Sequence, residues 1–228
     1  MRSLWFLLIS LAGAANAAPL PARVELSYDM LKDGTSVAQI SRTLRHEGGG
    51  YEATESWQPR GLYRLLGGAR RTSRGLAGPE GLRPVEFTDE RTGRPTARAH
   101  FDWSAKTLTM QYRDPPQTLP LPAHPQDRLS FLLAFVFSPP GAQPIAFDVA
   151  DGGSVSHYVF EVARHERVAT PAGEFETVKL VRRKDGPEDR RSTEIWLAPE
   201  RWYVPVRIVA TEKDGSRIEQ VVSRIAAP

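Results

Sequence analysis

The sequence predicts a mainly antiparallel all-β protein with one short helix. Three observations support this prediction. Apolar and polar residues alternate along most of the chain, Asp-Gly and glycine-rich turns separate the alternating runs, and only one segment has helical spacing. Alternation with a period of two puts every second side chain on the same face of a strand. We therefore expect a curved sheet that forms an open barrel or a β-roll.

The first half of the chain contains several short alternating runs. Residues 24–30 alternate cleanly and are followed by Asp33-Gly34. Asp-Gly between two such runs predicts a hairpin, because a tight turn needs a positive φ that glycine reaches at little cost. The runs that follow predict strands over residues 37–44, 51–57, 85–87, 97–103 and 107–112, with shorter pieces at 61–66 and 70–74.

A proline-rich connector and a helix are expected in the middle of the chain. Residues 115–125 contain five prolines, and proline cannot donate to a sheet ladder or continue a helix. Residues 126–138 are the helix candidate. Its apolar stripe has spacing i, i+3, i+4, i+7 and i+8 and consists of Leu129, Leu132, Leu133, Val136 and Phe137. Phe131 and Phe135 widen the stripe, which leaves a buried strand as the alternative.

The last third has the pattern of a meander. Alternating runs are separated by turn residues at regular intervals, which is typical of antiparallel sheets. The runs cover residues 145–149, 155–163, 175–182, 191–197, 204–211 and 218–225. We expect one β-rich domain over residues 18–228, with the connector and the helix between its two sheet-forming halves.

The first seventeen residues have the layout of a secretory signal peptide. Arg2 precedes the apolar run Leu4–Leu11, and Ala15-Asn16-Ala17 is a small-x-small cleavage site. The run is shorter than the roughly 20 apolar residues that a membrane-spanning helix needs. We expect cleavage after Ala17 and a periplasmic protein. Because the chain has no cysteine, it is expected to be neither a lipoprotein nor disulfide-bonded.

Composition argues against several classes of function. The 30 basic and 27 acidic residues are interspersed, so a nucleic-acid partner is not expected. No later apolar stretch is long enough for a transmembrane helix. The five histidines lack metal-ligand spacing, and Ser130 lacks the glycine elbow of a hydrolase nucleophile. We predict no catalytic residue, no metal and no cofactor, with a monomer as the default state.

Two carboxylates are the strongest candidates for chemistry. They are Asp102 and Asp127, which together with Glu86 and Asp89 would supply an acid/base pair of the glycosidase type. The structural interpretation is favoured for both residues. Asp102 precedes a turn whose backbone it can bond, and Asp127 lies near the start of the predicted helix, where a carboxylate accepts free N–H groups.

A basic hairpin surrounds Asp185-Gly186. Its cations either contact lipid phosphates or an anionic polymer, or simply protect a solvated hairpin from edge pairing, which is the more ordinary interpretation. These cations are Arg182, Arg183, Lys184, Arg190 and Arg191.

Several short strings occur in an order that resembles a known family. They are Gly81–Phe87, Phe101–Trp103, Gln126–Ser130, Thr170–Phe175, Ile195–Pro199 and Val204–Ile208. Together they resemble a family of exported bacterial proteins called domain of unknown function 3108, over residues 28–225. The resemblance implies a periplasmic or envelope location and an antiparallel sheet wrapped into an open barrel or roll. In outline this is similar to the half-barrels of periplasmic lipoprotein carriers. The family supplies no catalytic residues.

These features favour a non-enzymatic binding or carrier protein for a lipid or another amphipathic envelope component. The ligand would lie in an apolar groove between the curved sheet and a movable helix. One alternative is an envelope glycan-binding protein or glycan hydrolase that uses Asp102 and Asp127. Another is a structural or assembly factor that acts through a sheet edge. The candidate ligand-binding residues are Trp57, Phe87, Phe101, Trp103, Leu129, Leu132, Leu133, Phe137 and Trp196.

Overall fold

The computed structural model describes residues 19–112 and 114–227. The expected signal peptide, residues 1–17, lies outside the described residues. Strands dominate the described chain, as predicted. They are β1 (Arg23–Lys32), β2 (Thr35–Glu47), β3 (Gly50–Pro59), β4 (Ala69–Gly78), β5 (Gly81–Arg91), β6 (Ala97–Asp102), β7 (Thr107–Gln111), β8 (Gln117–Pro120), β9 (Pro125–Asp127), β10 (Ile145–Ala150), β11 (Val155–Thr170), β12 (Gly173–Arg182), β13 (Ser192–Ala198), β14 (Val204–Thr211) and β15 (Arg217–Ala226).

All of these strands belong to one sheet. Its order is β8-β7-β6-β5-β4-β3-β2-β1-β15-β14-β13-β12-β11-β10-β9. The sheet thus consists of two meanders joined at its centre, where β1 pairs antiparallel with β15 and Glu25 lies opposite Ala226. Neighbouring strands are antiparallel throughout, except that β9 and β10 are parallel. The prediction of a mainly antiparallel protein with one short helix is confirmed for the described residues.

The expected open barrel or roll is not what the strand order describes. The sheet has two ends, β8 and β9, and it is neither closed nor strongly curled. Both end strands are short because prolines interrupt them. The connector predicted over 115–125 contains β8, which ends at Pro120, and β9, which begins at Pro125. Proline lacks the N–H that a further partner strand would need.

The helix begins later than predicted. The helix α1 covers Ser130–Phe137, whereas Gln126 and Asp127 belong to β9. The Asp127 carboxylate explains the difference. Its Oδ1 accepts hydrogen bonds from the backbone N–H groups of Leu129 and Ser130, both at 2.8 Å. This bends the chain out of β9 and directly into the first helical turn.

The helix α1 is a core element. Every residue from Ser130 to Val136 is buried, as expected for a helix that is apolar on all sides. Leu129, Leu133 and Val136 pack in one hydrophobic cluster, whereas Phe131 and Phe135 pack in a second. The helix contacts β5, β9 and β14. Swinging it outward as a gate would expose both clusters to water.

A short 3-10 turn, Gly61–Leu66, connects β3 to β4. A strand was expected for residues 61–66, and the turn replaces it because Gly61 and Gly67 adopt positive φ of 57° and 70° at its two ends. By contrast, the hairpin predicted at Asp33-Gly34 is present, with β1 and β2 paired on either side of it.

Truncation of the helix should show that it is part of the core. Leu133 is 0% exposed, so we expect Leu133→Ala to lower the free energy of unfolding by about 2–5 kcal/mol through lost contacts and a residual cavity. Urea unfolding followed by circular dichroism measures this. The control is Leu76→Ala on the half-exposed end of β4, expected to change stability by less than about 0.5 kcal/mol. Equal, small effects of both substitutions would contradict the core assignment.

Candidate functional site

Charged side chains cross the inner, core-facing surface of four adjacent strands. Arg42 of β2 lies opposite Glu55 of β3, Glu55 lies opposite Arg71 of β4, and Arg71 lies opposite Asp89 of β5. Directly opposed residues in an antiparallel pair have neighbouring side chains. The four residues therefore form a row of alternating charge, which we call the ion ladder.

Each step of the ion ladder is a close ion pair. Arg42 Nε donates to Glu55 Oε2 at 2.9 Å, and Arg71 Nη1 donates to Glu55 Oε1 at 2.9 Å. Arg71 Nε donates to Asp89 Oδ2 at 3.0 Å. At the β5 end, Arg91 Nη2 donates to the same Asp89 oxygen at 2.6 Å. With Arg91 included, three guanidinium groups face two carboxylates, so one positive charge is in excess.

Burial makes these pairs interdependent. The side chains of Arg42 and Glu55 are 0% and 1% exposed. Burial by itself would raise the pKa of the Glu55 carboxyl, but the charges of Arg42 and Arg71 outweigh this effect and the pKa lies below its ordinary value. The pKa of Asp89 is also lowered, because hydrogen bonds and charges from Arg91 and Arg71 outweigh its desolvation. Both carboxylates therefore stay ionised in the folded protein.

The ion ladder is tied to the second half of the sheet through Tyr28. Arg42 Nη1 lies 3.3 Å from the Tyr28 hydroxyl, which donates to the carbonyl of Pro205 at 2.7 Å. Burial raises the pKa of Tyr28 to about 12. The hydroxyl thus remains a neutral donor and connects β1 to β14 across the core.

Trp57 occupies the next inner position of β3 after Glu55. Its Nε1 donates to Glu55 Oε1 at 2.7 Å, and the Arg71 guanidinium carbon lies 5.0 Å from the ring centroid. The indole is thereby held in one orientation by a hydrogen bond and a cation–π contact.

An open cavity of about 300 Å³ lies against Trp57 and the ion ladder, at the end of the sheet where β1 turns into β2. We call it the basic cavity. Most of its wall is apolar, and its charged lining residues are all cations. The apolar wall includes Met30, Val37, Ala38, Trp57, Ala69 and Ile218, and the cations are Lys32, Arg71, Arg91 and Arg94.

A second cleft, of about 850 Å³, lies beside the C-terminal end of α1. We call it the helix cleft. Trp103, Gln126 and Phe135 are among its lining residues. Gln126 Nε2 donates to the carbonyl of Leu82 at 2.7 Å, whereas its buried Oε1 has no partner among the described residues. The lining is a mixture of polar and apolar groups.

The predicted ligand-binding residues do not share one groove. Trp57 lines the basic cavity and Trp103 lines the helix cleft. Phe137 is half-buried against the ring of His46, with centroids 5.4 Å apart. Trp196 is buried under Lys179, whose Nζ lies 4.6 Å from the ring centroid. The remaining five are buried in the two core clusters and are Phe87, Phe101, Leu129, Leu132 and Leu133.

The candidate carboxylates Asp102 and Asp127 both accept hydrogen bonds from backbone N–H groups at turns, which is the structural role that the sequence favours. Asp102 Oδ1 accepts from the backbone N–H groups of Ala105 at 2.8 Å and Ser104 at 3.0 Å, and these bonds lower its pKa. Asp127 is buried at the start of the helix, where Ser73 Oγ donates to its Oδ2 at 2.5 Å. Their hydrogen-bond partners are different, and no contact joins the two carboxylates.

The remaining candidate residues, two carboxylates of β5 and the cations of the basic hairpin, also have structural explanations. Glu86 is exposed on β5 while Asp89 faces inward, so these two carboxylates point to opposite faces. In the basic hairpin, Arg182 pairs with Asp189 at 2.6 Å and Arg191 pairs with Asp189 at 3.0 Å. Residues 19–112 and 114–227 contain no cluster of three His, Asp or Glu residues that could hold a metal ion.

Sequence reasoning missed the ion ladder. A signal was present, because the inward-facing series of β2 and β3 each contain one charged residue among apolar ones, Arg42 and Glu55 respectively. The pattern of one strand cannot show which charge lies opposite, since this depends on the register between strands.

Breaking the ion ladder should destabilise the fold strongly. We expect Glu55→Gln to cost about 3–5 kcal/mol of unfolding free energy, because Arg42 and Arg71 would both lose a buried counter-charge. Equilibrium unfolding in urea measures the change. The matched control is Glu52→Gln on the same strand, whose pair with Arg74 is exposed and should contribute less than about 1 kcal/mol. A loss of the same small size in both variants would argue against a structural role for the ion ladder.

Asp127 should make stability depend on pH. Desolvation by burial raises its pKa from 3.8 to about 6 despite the hydrogen bonds it accepts. The folded state therefore binds this proton more tightly than the unfolded state, and stability declines as pH rises from about 4 to about 6, by about 3 kcal/mol. The pKa values of Glu55 and Asp89 are lowered, so protonation of those two groups changes the stability only at more acidic pH.

The variant Asp127→Asn tests this pH dependence. The amide keeps an acceptor for the Leu129 and Ser130 N–H groups, so the helix start is preserved while the titration is removed. We expect its stability to stay flat between pH 4 and pH 6 in urea unfolding. An equally steep decline in the variant and the parent protein would assign the dependence to another group.

Comparisons with known proteins give a family and two distant structures. The model of the family described as "Protein of unknown function (DUF3108)" matches residues 23–222. No curated protein matches the chain. Among the described residues, no helix is long and apolar enough to cross a membrane.

Two solved structures have low similarity to the chain. One is an inferred exported protein with a YmcC-like fold from Bacteroides fragilis, with 12% identity and a TM-score of 0.40, covering 89% of this chain and 95% of the other. The other is an inferred lipoprotein from Parabacteroides distasonis, with 11% identity and a TM-score of 0.37, covering 91% and 97% respectively. Similarity at this level establishes neither a shared function nor a shared ligand.

Proposed function

The chain belongs to the DUF3108 family, whose description gives no function, and from its own site we propose that it is an exported, non-enzymatic protein that binds an anionic amphipathic molecule in the basic cavity. The observation that carries this proposal is the composition of the cavity wall, where an apolar surface meets cations and no carboxylate among the described lining residues. An apolar chain with one anionic end has the matching chemistry.

The apolar wall would supply most of the binding energy. Transfer of apolar surface out of water contributes about 25 cal/mol per Å², or about 2.5 kcal/mol for each 100 Å² of ligand surface. At about 300 Å³, the cavity is at the small end of ordinary ligand pockets. It suits a single acyl chain or a compact amphiphile rather than a whole two-chain lipid.

The cations would select the charge of the ligand. Arg71 is held by Glu55 and Asp89 at 2.9 and 3.0 Å, so its position is set before a ligand arrives and little conformational entropy is lost on binding. Lys32 and Arg94 are exposed at the same end of the sheet. A guanidinium favours carboxylate or phosphate oxygens because its donors match them in a fixed geometry.

The envelope is the proposed site of action. The signal-peptide pattern of residues 1–17 supports a periplasmic protein that carries its ligand within the envelope. The predicted alternatives have less support. Asp102 and Asp127 anchor turns, which disfavours a glycan hydrolase, and the short end strands β8 and β9 offer little edge for assembly with another protein.

Binding of dodecanoate tests the proposed site, with dodecanol as the uncharged comparison. We expect Arg94→Glu to weaken dodecanoate binding by about tenfold or more in titration calorimetry, because it replaces an attractive charge by a repulsive one. Ala69→Leu should abolish binding by filling the cavity from β4. Arg45→Glu, an exposed arginine at the other end of β2, is the matched control and should bind normally.

Two results would contradict the proposed function. The first is dodecanoate binding that is unaffected by both Arg94→Glu and Ala69→Leu, which would place the ligand elsewhere. The second is equal affinity for dodecanoate and dodecanol, which would remove the role of the cations.

A further inference from the structure

The turn Gly61–Leu66 exposes leucine side chains to an unusual degree. Leu62 is 86% exposed and Leu65 is 89% exposed, and Tyr63 on the same turn is 38% exposed. Among the described residues, the one other large apolar side chain with comparable exposure is Leu76, at 52%. Three of the four exposed large apolar side chains among the described residues thus lie in one turn, and contiguous exposed apolar patches mark interaction sites.

The 3-10 conformation explains how the two leucines act together. Residues i and i+3 of a 3-10 helix lie directly above one another, so Leu62 and Leu65 project on the same side. Tyr63, between them in sequence, instead lines the basic cavity. The turn is held at both ends, because Arg60 N donates to the Val37 carbonyl at 2.8 Å and Gly67 N donates to the Arg64 carbonyl at 3.2 Å.

The charges around the turn have one predominant sign. Residues 58–79 contain no aspartate or glutamate, whereas Arg60, Arg64 and Arg70 are all exposed. The nearby acidic groups are on other strands. Asp29 accepts from Arg60 at 3.2 Å, and Glu90 lies opposite Arg70 in the sheet. The leucine pair therefore projects from a surface with a net positive charge.

From this juxtaposition of two leucines that are 86% and 89% exposed, the exposed arginines around them and the basic cavity that Tyr63 lines, we propose that the Gly61–Leu66 turn docks the protein onto the surface of an anionic phospholipid bilayer. Leu62 and Leu65 enter the boundary between headgroups and acyl chains, while Arg60 and Arg64 contact lipid phosphates. This inference goes beyond the proposed ligand-binding function, because docking does not depend on what the cavity holds.

A lipid surface fits the turn better than a protein partner does. The apolar part is two side chains on a protruding turn, which is far smaller than the roughly 1,000 Å² that a stable protein interface requires. Leucine insertion and attraction of arginine to anionic headgroups add up to marginal, reversible binding of the kind seen for peripheral proteins. Reversible docking also brings the basic cavity, whose lining includes Tyr63 and Gly67, close to the lipid surface.

Vesicle flotation of the purified exported protein tests the docking. We expect it to float with vesicles that contain phosphatidylglycerol and to bind vesicles of phosphatidylcholine alone much more weakly. In the double variant Leu62→Ser/Leu65→Ser, the bound fraction should fall by about tenfold or more. Leu76→Ser, at the other end of β4, is the matched control and should float normally.

A charge variant separates the contribution of the arginines to vesicle binding from that of the leucines. Arg60→Gln/Arg64→Gln should lose the preference for phosphatidylglycerol, and added salt should weaken binding of the parent protein in the same way. The proposal is overturned if the parent protein does not float with either vesicle, or if the leucine variant floats as well as the parent. A leucine-dependent dimer in sedimentation, without vesicle binding, would also overturn it in favour of a second copy as partner.

The flotation and dodecanoate experiments fail independently. Flotation uses vesicles and substitutions in the turn, whereas the ligand test uses a soluble amphiphile and substitutions inside the cavity. If one experiment gives the expected result and the other does not, the failed experiment therefore shows which of the two proposals is wrong.

Discussion

The register of four strands depends on the ion ladder. Arg42, Glu55, Arg71 and Asp89 face the protein core, where an unpaired charge is costly. A shift of β3 by one residue would turn Glu55 to the outer face, so that Arg42 would lose its buried carboxylate and Arg71 would keep only Asp89. A shift by two residues would keep the apolar side chains of β3 on the inner face, but it would still move Glu55 away from Arg42 and Arg71. The ladder thus penalises wrong alignments of β2, β3, β4 and β5 more strongly than hydrophobic packing alone would.

The ladder also gives the sheet a positively charged end. Together with Arg91 it places three guanidinium groups against two carboxylates, and Arg71 and Arg91 both line the basic cavity. Folding this row of charges into the sheet therefore brings positive charge beside Trp57. The 3-10 turn that carries Leu62 and Leu65 joins β3 to β4 at the same end. One end of the molecule combines a cationic cavity with an exposed apolar turn, whereas the rest of its large apolar side chains are mostly covered.

Local sequence signals predicted most of the fold but not the site. Alternation and the Asp33-Gly34 turn identify strands correctly because both depend on neighbouring residues only. Asp127 was correctly placed at the start of the helix, although the helix begins at Ser130 instead of residue 126. The ladder is not predictable in this way. Glu55 and Arg71 are partners only through the pairing of β3 with β4, and a single sequence contains no direct record of that pairing.

The burial of α1 explains why a binding site at the strand ends is more consistent with this fold than a groove under the helix. A helix can cover a groove only if one of its sides is left without packing partners. Here Leu133 packs in one hydrophobic cluster and Phe135 packs in the other, so the protein's own side chains occupy the space under the helix, and the helix cleft lies beside its C-terminal end. Phe131 and Phe135, which widen the apolar stripe beyond one face, were the sequence signal for this arrangement. At the ends of β3 and β4, in contrast, small residues such as Ala69 and Gly68 lie beside Trp57, and the described side chains leave a cavity there.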